Sequence, residues 1–223
     1  MSGSARATRR RSPRPSGNLR LEPERLNRGL ALLEHVVALN PTNWAAMWTL
    51  SMGYRLTRSF LRSAEFFARA YAVAPDQLAT VVEYQQACLL LGRTKDALQL
   101  GHRQMALTGG TADARSNLAV ALLLDGDLDA ADAEAAEAAV LAPDDAINES
   151  IRRAIADVRE GRRPQPRTLR DLGPAAAAPI PTKGLEPGRH GAPSRKHSVP
   201  TVRFWRLTRV ECCRPRSARG SRR

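Results

Sequence analysis

The chain carries four His and three Cys, the residue types from which a nucleophile–base pair or a soft-metal site would be built. His35 and His102 fall in stretches with helical spacing and have no Ser or Cys nucleophile close by in sequence, so both read as surface or structural residues. His190 and His197 lie in a Pro-rich tail. Cys88 sits in an apolar run, where a desolvated thiol stays protonated and inert. Cys212–Cys213 could take a lipid or oxidise, but no hydrophobic flank supplies the second membrane signal that stable anchoring needs. An odd cysteine count without paired spacing argues against a disulfide scaffold and a thiolate zinc site, and fits a reduced, bacterial cytoplasmic setting. The acidic run DGDLDAAD has the carboxylates of a calcium loop, but its Gly is misplaced and the closing Glu is missing. Asp127 or Asp129 capping the following helix is the simpler account. With no Gly-rich phosphate loop and no nucleophile elbow, the expectation is a protein that is not an enzyme and holds neither metal nor cofactor.

The positions of these residues depend on which parts of the chain fold. Of 223 residues, 35 are Lys or Arg and 22 are Asp or Glu, a net charge of +13 that is unevenly spread. Residues 1–20 hold six Arg and no acid, residues 21–163 hold 15 basic and 19 acidic side chains, and residues 164–223 hold 14 basic and three acidic. Both ends are rich in Pro, Ser and Arg and poor in apolar residues, so they cannot offset their ordering entropy by burial. The reading is a disordered Arg-rich arm over 1–21, a folded region over 22–163, and a disordered Pro/Arg-rich tail over 164–223. The arm lacks the apolar core of a secretory signal; it is acid-free like an organellar transit peptide but has no apolar face. No stretch approaches the ~20 apolar residues of a membrane span, so no membrane insertion is expected.

The folded region repeats. Pro41, Pro75 and Pro143 stand 34 and then 68 residues apart, with Gly109 in the intervening slot; Gly92 and Gly126 are 34 apart, as are Ala97 and Ala131. Leu50, Tyr84 and Leu118 recur at the same period, as do Tyr54, Cys88 and Leu122. Apolar spacing within each unit is helical, broken once by a polar or Gly turn. Two helices of ~12–14 residues closed by a Pro turn fill such a unit. A fixed period of this size marks stacked units that bury their apolar faces only against one another. Ala70, Ala97, Ala131 and Ala138 let helices cross closely, whereas Gly101 and Gln104 depart from the pattern and predict that the second unit is the least tightly packed.

On Leu50, Tyr54, Phe67, Ala70 and Pro75, Gly92 and Ala97, and Asn117, Leu118, Gly126, Ala131, Ala138 and Pro143, the chain resembles the tetratricopeptide repeat (TPR) family across residues 24–161. The departures are Gly109 for proline, Ser63 for alanine, and Gln104. The resemblance implies an all-α, right-handed solenoid of antiparallel helix pairs with a concave binding face. Its units fall near 44–77, 78–111 and 112–145, with a leading helix over 23–39 and a capping helix over 146–161. Leu32, Val36 and Leu39 widen the apolar arc of the leading helix, which therefore offers a surface for a partner or for self-association. Ile147, Ile151, Ile155 and Val158 line one face of the capping helix and charged residues the other.

In such a solenoid the first helix of each pair lines the groove. Periodicity places Trp48, Met52 and Arg55 there from the first unit, Val82, Glu83 and Gln86 from the second, and Ser116, Asn117 and Val120 from the third. The basic clamp with which family members hold acidic chaperone C-termini is absent; Glu83 and Asp113 would repel such a ligand. An apolar patch beside Gln and Asn suits an unidentified protein or peptide segment, with Trp48 and Met52 as anchors. The alternative for Trp48 is ordinary core packing on the leading helix. The third unit bears nine acids against Arg115, a solvated face or a dock for the chain's own basic tail. The competing function is weak, sequence-independent binding of nucleic acid or an anionic surface through the basic tails.

Overall fold

The computed structural model describes residues 23–173. The two ends, with Cys212–Cys213, His190, His197, the tail-docking idea and the nucleic-acid reading that rests on the tails, lie outside the described residues. Eight α-helices follow one another: α1 (Pro23–Leu39), α2 (Trp44–Leu56), α3 (Phe60–Val73), α4 (Leu78–Leu91), α5 (Thr94–Thr108), α6 (Ala112–Asp125), α7 (Leu128–Leu141) and α8 (Ala146–Arg159). A short 3₁₀ turn, Leu169–Leu172, comes last. Each helix packs on its successor, α2 on α3, α4 on α5 and α6 on α7 as antiparallel pairs, in an all-α solenoid.

Local chemistry sets the boundaries. Asn43, Asp127 and Asp145 accept backbone N–H bonds from Ala46, Ala130 and Ile147 at 3.0, 3.1 and 2.9 Å, which starts α2, α7 and α8. The turn inside each pair needs one left-handed residue. Gly92 and Gly126 supply it at φ 70° and 92°, and Arg58 takes the equivalent place at φ 60°. Ala64, Ala70, Ala97, Ala131 and Ala138 are fully buried where helices cross. The all-round burial of α4 and α6 follows from their central place, with helices on several sides; they read as apolar on every face rather than on a stripe.

The second helix pair meets less closely than the first and third, as Gly101 and Gln104 predicted, but its interior is not empty. Gly101 occupies the slot that Phe67 fills in the first unit, and a Cβ there would stand 2.8 Å from Gln85 Nε2 and 3.0 Å from Leu118 Cδ1. Gln85 fills the vacated space and donates to the Ala97 and Asn117 carbonyls at 3.2 and 3.4 Å, while Gln104, 3% exposed, accepts from Asn117 Nδ2 at 3.0 Å. Packing there is polar. The expected boundary at 163 needs correction. Residues 164–173 fold back onto the solenoid, because Pro166 and Leu169 bury there despite the basic, Pro-rich composition around them.

The two ends of the solenoid differ. On α1, Leu30 and Val37 are buried against α2, but Leu32 and Leu39 are 68% and 74% exposed and no atom of the described residues lies within 4 Å of a Cβ built on Gly29. On α8, Ile151 and Ile155 are buried and Glu149, Arg152 and Arg153 face solvent, so that end is capped by a polar surface. None of the described helices is long and apolar enough to cross a membrane.

Candidate functional site

The inner positions of the first helices make a layer of inter-helix contacts. Near the end of α2, Arg55 forms an ion pair with Glu83 of α4, donates from Nη1 to Gln86 Oε1 at 3.2 Å, and holds Nη2 3.0 Å from Met52 Sδ. The two charged side chains are 5% and 0% exposed. Taking both out of water is costly, and the charge-assisted bonds offset that cost only while both partners are present. Glu83 Oε1 and Gln86 Nε2 are buried with no hydrogen-bond partner among the described residues. Trp48 packs with Ala64, Phe67 and Ala87, and its indole N–H donates to the Ala79 carbonyl at 3.4 Å. It is core, as the alternative reading held, but between α3 and α4 and not on the leading helix.

The third unit repeats this arrangement. Ser116 Oγ donates to Asn148 Oδ1, and Asn148 Nδ2 in turn donates to the Ala138 and Ala142 carbonyls at 3.1 and 3.2 Å, which ties α6 to α8 and α7. Asn117 reaches Gln104 on α5. Val82 and Val120 are buried. Of the nine side chains placed on the groove by periodicity, eight are therefore buried, and Met52 alone is part-exposed. They do not share one direction: Asn117 turns toward α5, Ser116 toward α8, and Trp48 toward α3 and α4. What phase could not show is that neighbouring first helices come close enough to close over them: residue 55 meets residues 83 and 86, about one repeat on.

The other chemistry-capable residues resolve simply. His35 and His102 are exposed. Cys88 is fully buried, and desolvation pushes its thiol up to about 12; Tyr84 beside it is likewise raised to about 12, chiefly by burial. In the acidic unit, Asp127 and Asp145 are helix caps, Glu134 pairs with Arg115 at 2.8 Å, and Asp129 and Asp132 pair with Arg159 at 2.7 and 3.3 Å. No group of three or more His, Cys, Asp or Glu among the described residues could hold a metal ion. Sequence reasoning missed Gln85, Gln104 and Asn148 as inner-layer partners. Gly101 in an aromatic slot was the available signal for the first two, since a vacated volume in a core must be refilled. It also missed an open cleft of about 520 Å³ between the α2–α3 turn and the end of α4, lined by Arg58, Phe60, Leu61, Leu90, Leu91 and Arg170.

No protein-family model matches the chain, and no curated protein matches it. Solved structures do. YrrB, described as a TPR protein with an unusual peptide-binding site, is 19% identical, covers 67% of this chain and 77% of its own, and superposes with a TM-score of 0.55. The MamA RS-1 ArsTM double mutant is 15% identical over 61% of this chain and 76% of its own, with a TM-score of 0.56. MamA AMB-1 is 25% identical over 62% and 82%, with a TM-score of 0.53. With its 34-residue period, antiparallel helix pairs and left-handed residue at the turn inside each pair, the chain has the fold of tetratricopeptide-repeat solenoids.

Proposed function

We propose that the chain is a non-catalytic protein–protein interaction scaffold that takes a peptide or partner segment along the inner face of the solenoid, in the cytoplasm. Met52 is the accessible anchor. Trp48, Arg55, Val82, Glu83 and Gln86 form the wall behind it, and Ser116, Asn117 and Val120 continue that wall into the third unit. The observation that supports this most is the pair of unfilled polar atoms beside Met52: an acceptor at Glu83 Oε1 and a donor at Gln86 Nε2, which match the N–H and C=O of an extended backbone. Seven buried side-chain polar atoms among the described residues are unpaired, and these two belong to the side chains that hold the Arg55 guanidinium next to Met52. The leading helix is a second contact surface in the proposal, one suited to self-association through Leu32, Val36 and Leu39.

The test is a photo-crosslinking residue placed at position 52 of the full chain, with position 106 on the outer side of α5 as the control. Adducts are expected from position 52 only, and are expected to disappear when Trp48→Ala and Gln86→Ala are combined. An identical adduct set from the double variant would remove the inner-face assignment.

A further inference from the structure

The segment after α8 turns back at Gly161 and runs along the solenoid against the order of the units. Gln165 Nε2 donates to the Leu123 carbonyl in the last turn of α6. The Arg167 carbonyl and the Thr168 methyl lie 3.2 and 3.5 Å from a Cβ built on Gly92, at the end of α4. Finally the Arg170 guanidinium stacks on the Phe60 ring, 4.4 Å from its centroid, at the start of α3. One strap of twelve residues, 162–173, thus touches the third, second and first helix pairs in turn.

Its hold on the solenoid is narrow. Pro166 and Leu169 are buried, and Leu169 joins the cluster that contains Cys88, Leu89 and Leu123; Leu172 packs at the margin of the same cluster. Much of the rest of its bonding is internal. Asp171 Oδ2 accepts the Arg167 and Thr168 N–H groups at 2.9 and 2.8 Å, and Arg163 donates to the Asp171 and Leu172 carbonyls at 3.4 and 3.2 Å. A strap that orders twelve residues to bury two side chains is a weak latch by the ordinary balance of chain entropy against apolar burial. The trough beneath it nevertheless receives a chain that reaches Thr168 without regular structure and then winds into a 3₁₀ turn over Leu169–Leu172. It offers an apolar seat for a leucine, a helix-end carbonyl at Leu123 that takes a side-chain N–H in addition to the Gly126 N–H, a side-chain-free approach at Gly92, and an aromatic face at Phe60 for a cation.

We propose that the trough along the C-terminal ends of α4 and α6 is a second peptide-binding site. It takes a segment of pattern Pro-x-x-Leu-x-x-Leu, its Leu-x-x-Leu part wound as a 3₁₀ turn, with Arg or Lys directly after the first leucine, and residues 162–173 occupy it in cis. A partner segment of that chemistry binds by displacing the strap. The site is separate from the inner face, and its test reads independently of that assignment.

The probe is a fluorescein-labelled peptide of residues 162–173, titrated by anisotropy into the full chain and into full-length Leu169→Asp. The variant strap leaves the trough, so the variant is expected to bind the peptide at least tenfold more tightly than wild type does. A scrambled peptide of the same charge is expected to bind neither. Equal binding of the scrambled peptide, or no gain in Leu169→Asp with its helical circular dichroism retained, overturns the proposal. So does a strap exchanged between two copies, seen by light scattering as a dimer that persists in Leu32→Glu with Leu39→Glu and is lost in Leu169→Asp. Where Leu169→Asp fails to fold, hydrogen exchange on the unmodified protein decides. Amides of Arg163, Asp171 and Gly173 are expected to exchange at least tenfold faster than those of α4 and α6; equal protection makes the strap a fixed part of the fold and overturns a displaceable one.

Discussion

Arg55 and Glu83 show why a single residue's role here depends on its partner. Removing Glu83 leaves a guanidinium in the core, so Glu83→Ala is expected to cost about 3–5 kcal/mol in urea unfolding. Arg55→Met combined with Glu83→Leu is expected to recover most of that loss, and additive losses would show that the pair does not act as a unit. Cys88 gives a pH prediction. Its folded thiol is raised from 9.0 to about 12, so above pH 9 the unfolded chain ionises first and binds fewer protons than the folded one. Stability is therefore expected to fall between about pH 9 and pH 12, and Cys88→Ala is expected to flatten that part of the thermal-midpoint profile. A residual slope in the variant would report Tyr84, which shifts in the same direction.

At the scale of the element, the turns inside the helix pairs carry the clearest strain. Gly92 and Gly126 adopt left-handed φ freely, whereas Arg58 adopts φ 60° with a side chain attached. A non-glycine residue there costs roughly 1–2 kcal/mol, and glycine returns about 0.5–1 kcal/mol of that through its unfolded entropy. Arg58→Gly is thus expected to raise stability by up to about 1 kcal/mol, read as a higher thermal midpoint; an unchanged or lower midpoint would mean that the Arg58 side chain repays its backbone. The helices themselves were legible from period and caps. The strap was not: its basic, Pro-rich composition resembles the tail beyond it. Pro166, Leu169 and Leu172 sit three apart, a spacing that gains meaning only when a trough is present to receive it.

For the whole molecule, the asymmetry of the two ends matters most. Among the described residues the solenoid presents a polar helix face on one side and an apolar one on the other, with no described atom over Gly29. Head-to-tail growth would set apolar α1 against charged α8, whereas head-to-head pairing joins two like apolar faces. Sedimentation equilibrium of the wild type is expected to show a mass that rises with concentration. Leu32→Glu with Leu39→Glu is expected to abolish that rise without loss of helicity, since Leu30 and Val37 hold α1 in place. A constant mass for the unaltered chain would end the self-association reading.

Periodicity alone determined that this chain is an all-α stack of helix pairs, because that follows from 3.6-residue geometry and from a 34-residue repeat whose units bury their apolar faces on one another. Only the tertiary structure decided how near neighbouring first helices lie. Distance between helices is set by the side chains that meet across them, and here Arg55–Glu83 joins α2 to α4 and Ser116–Asn148 joins α6 to α8, with eight of the nine expected wall residues buried. The same is true of the strap, whose place depends on a surface assembled from three units distant in the chain.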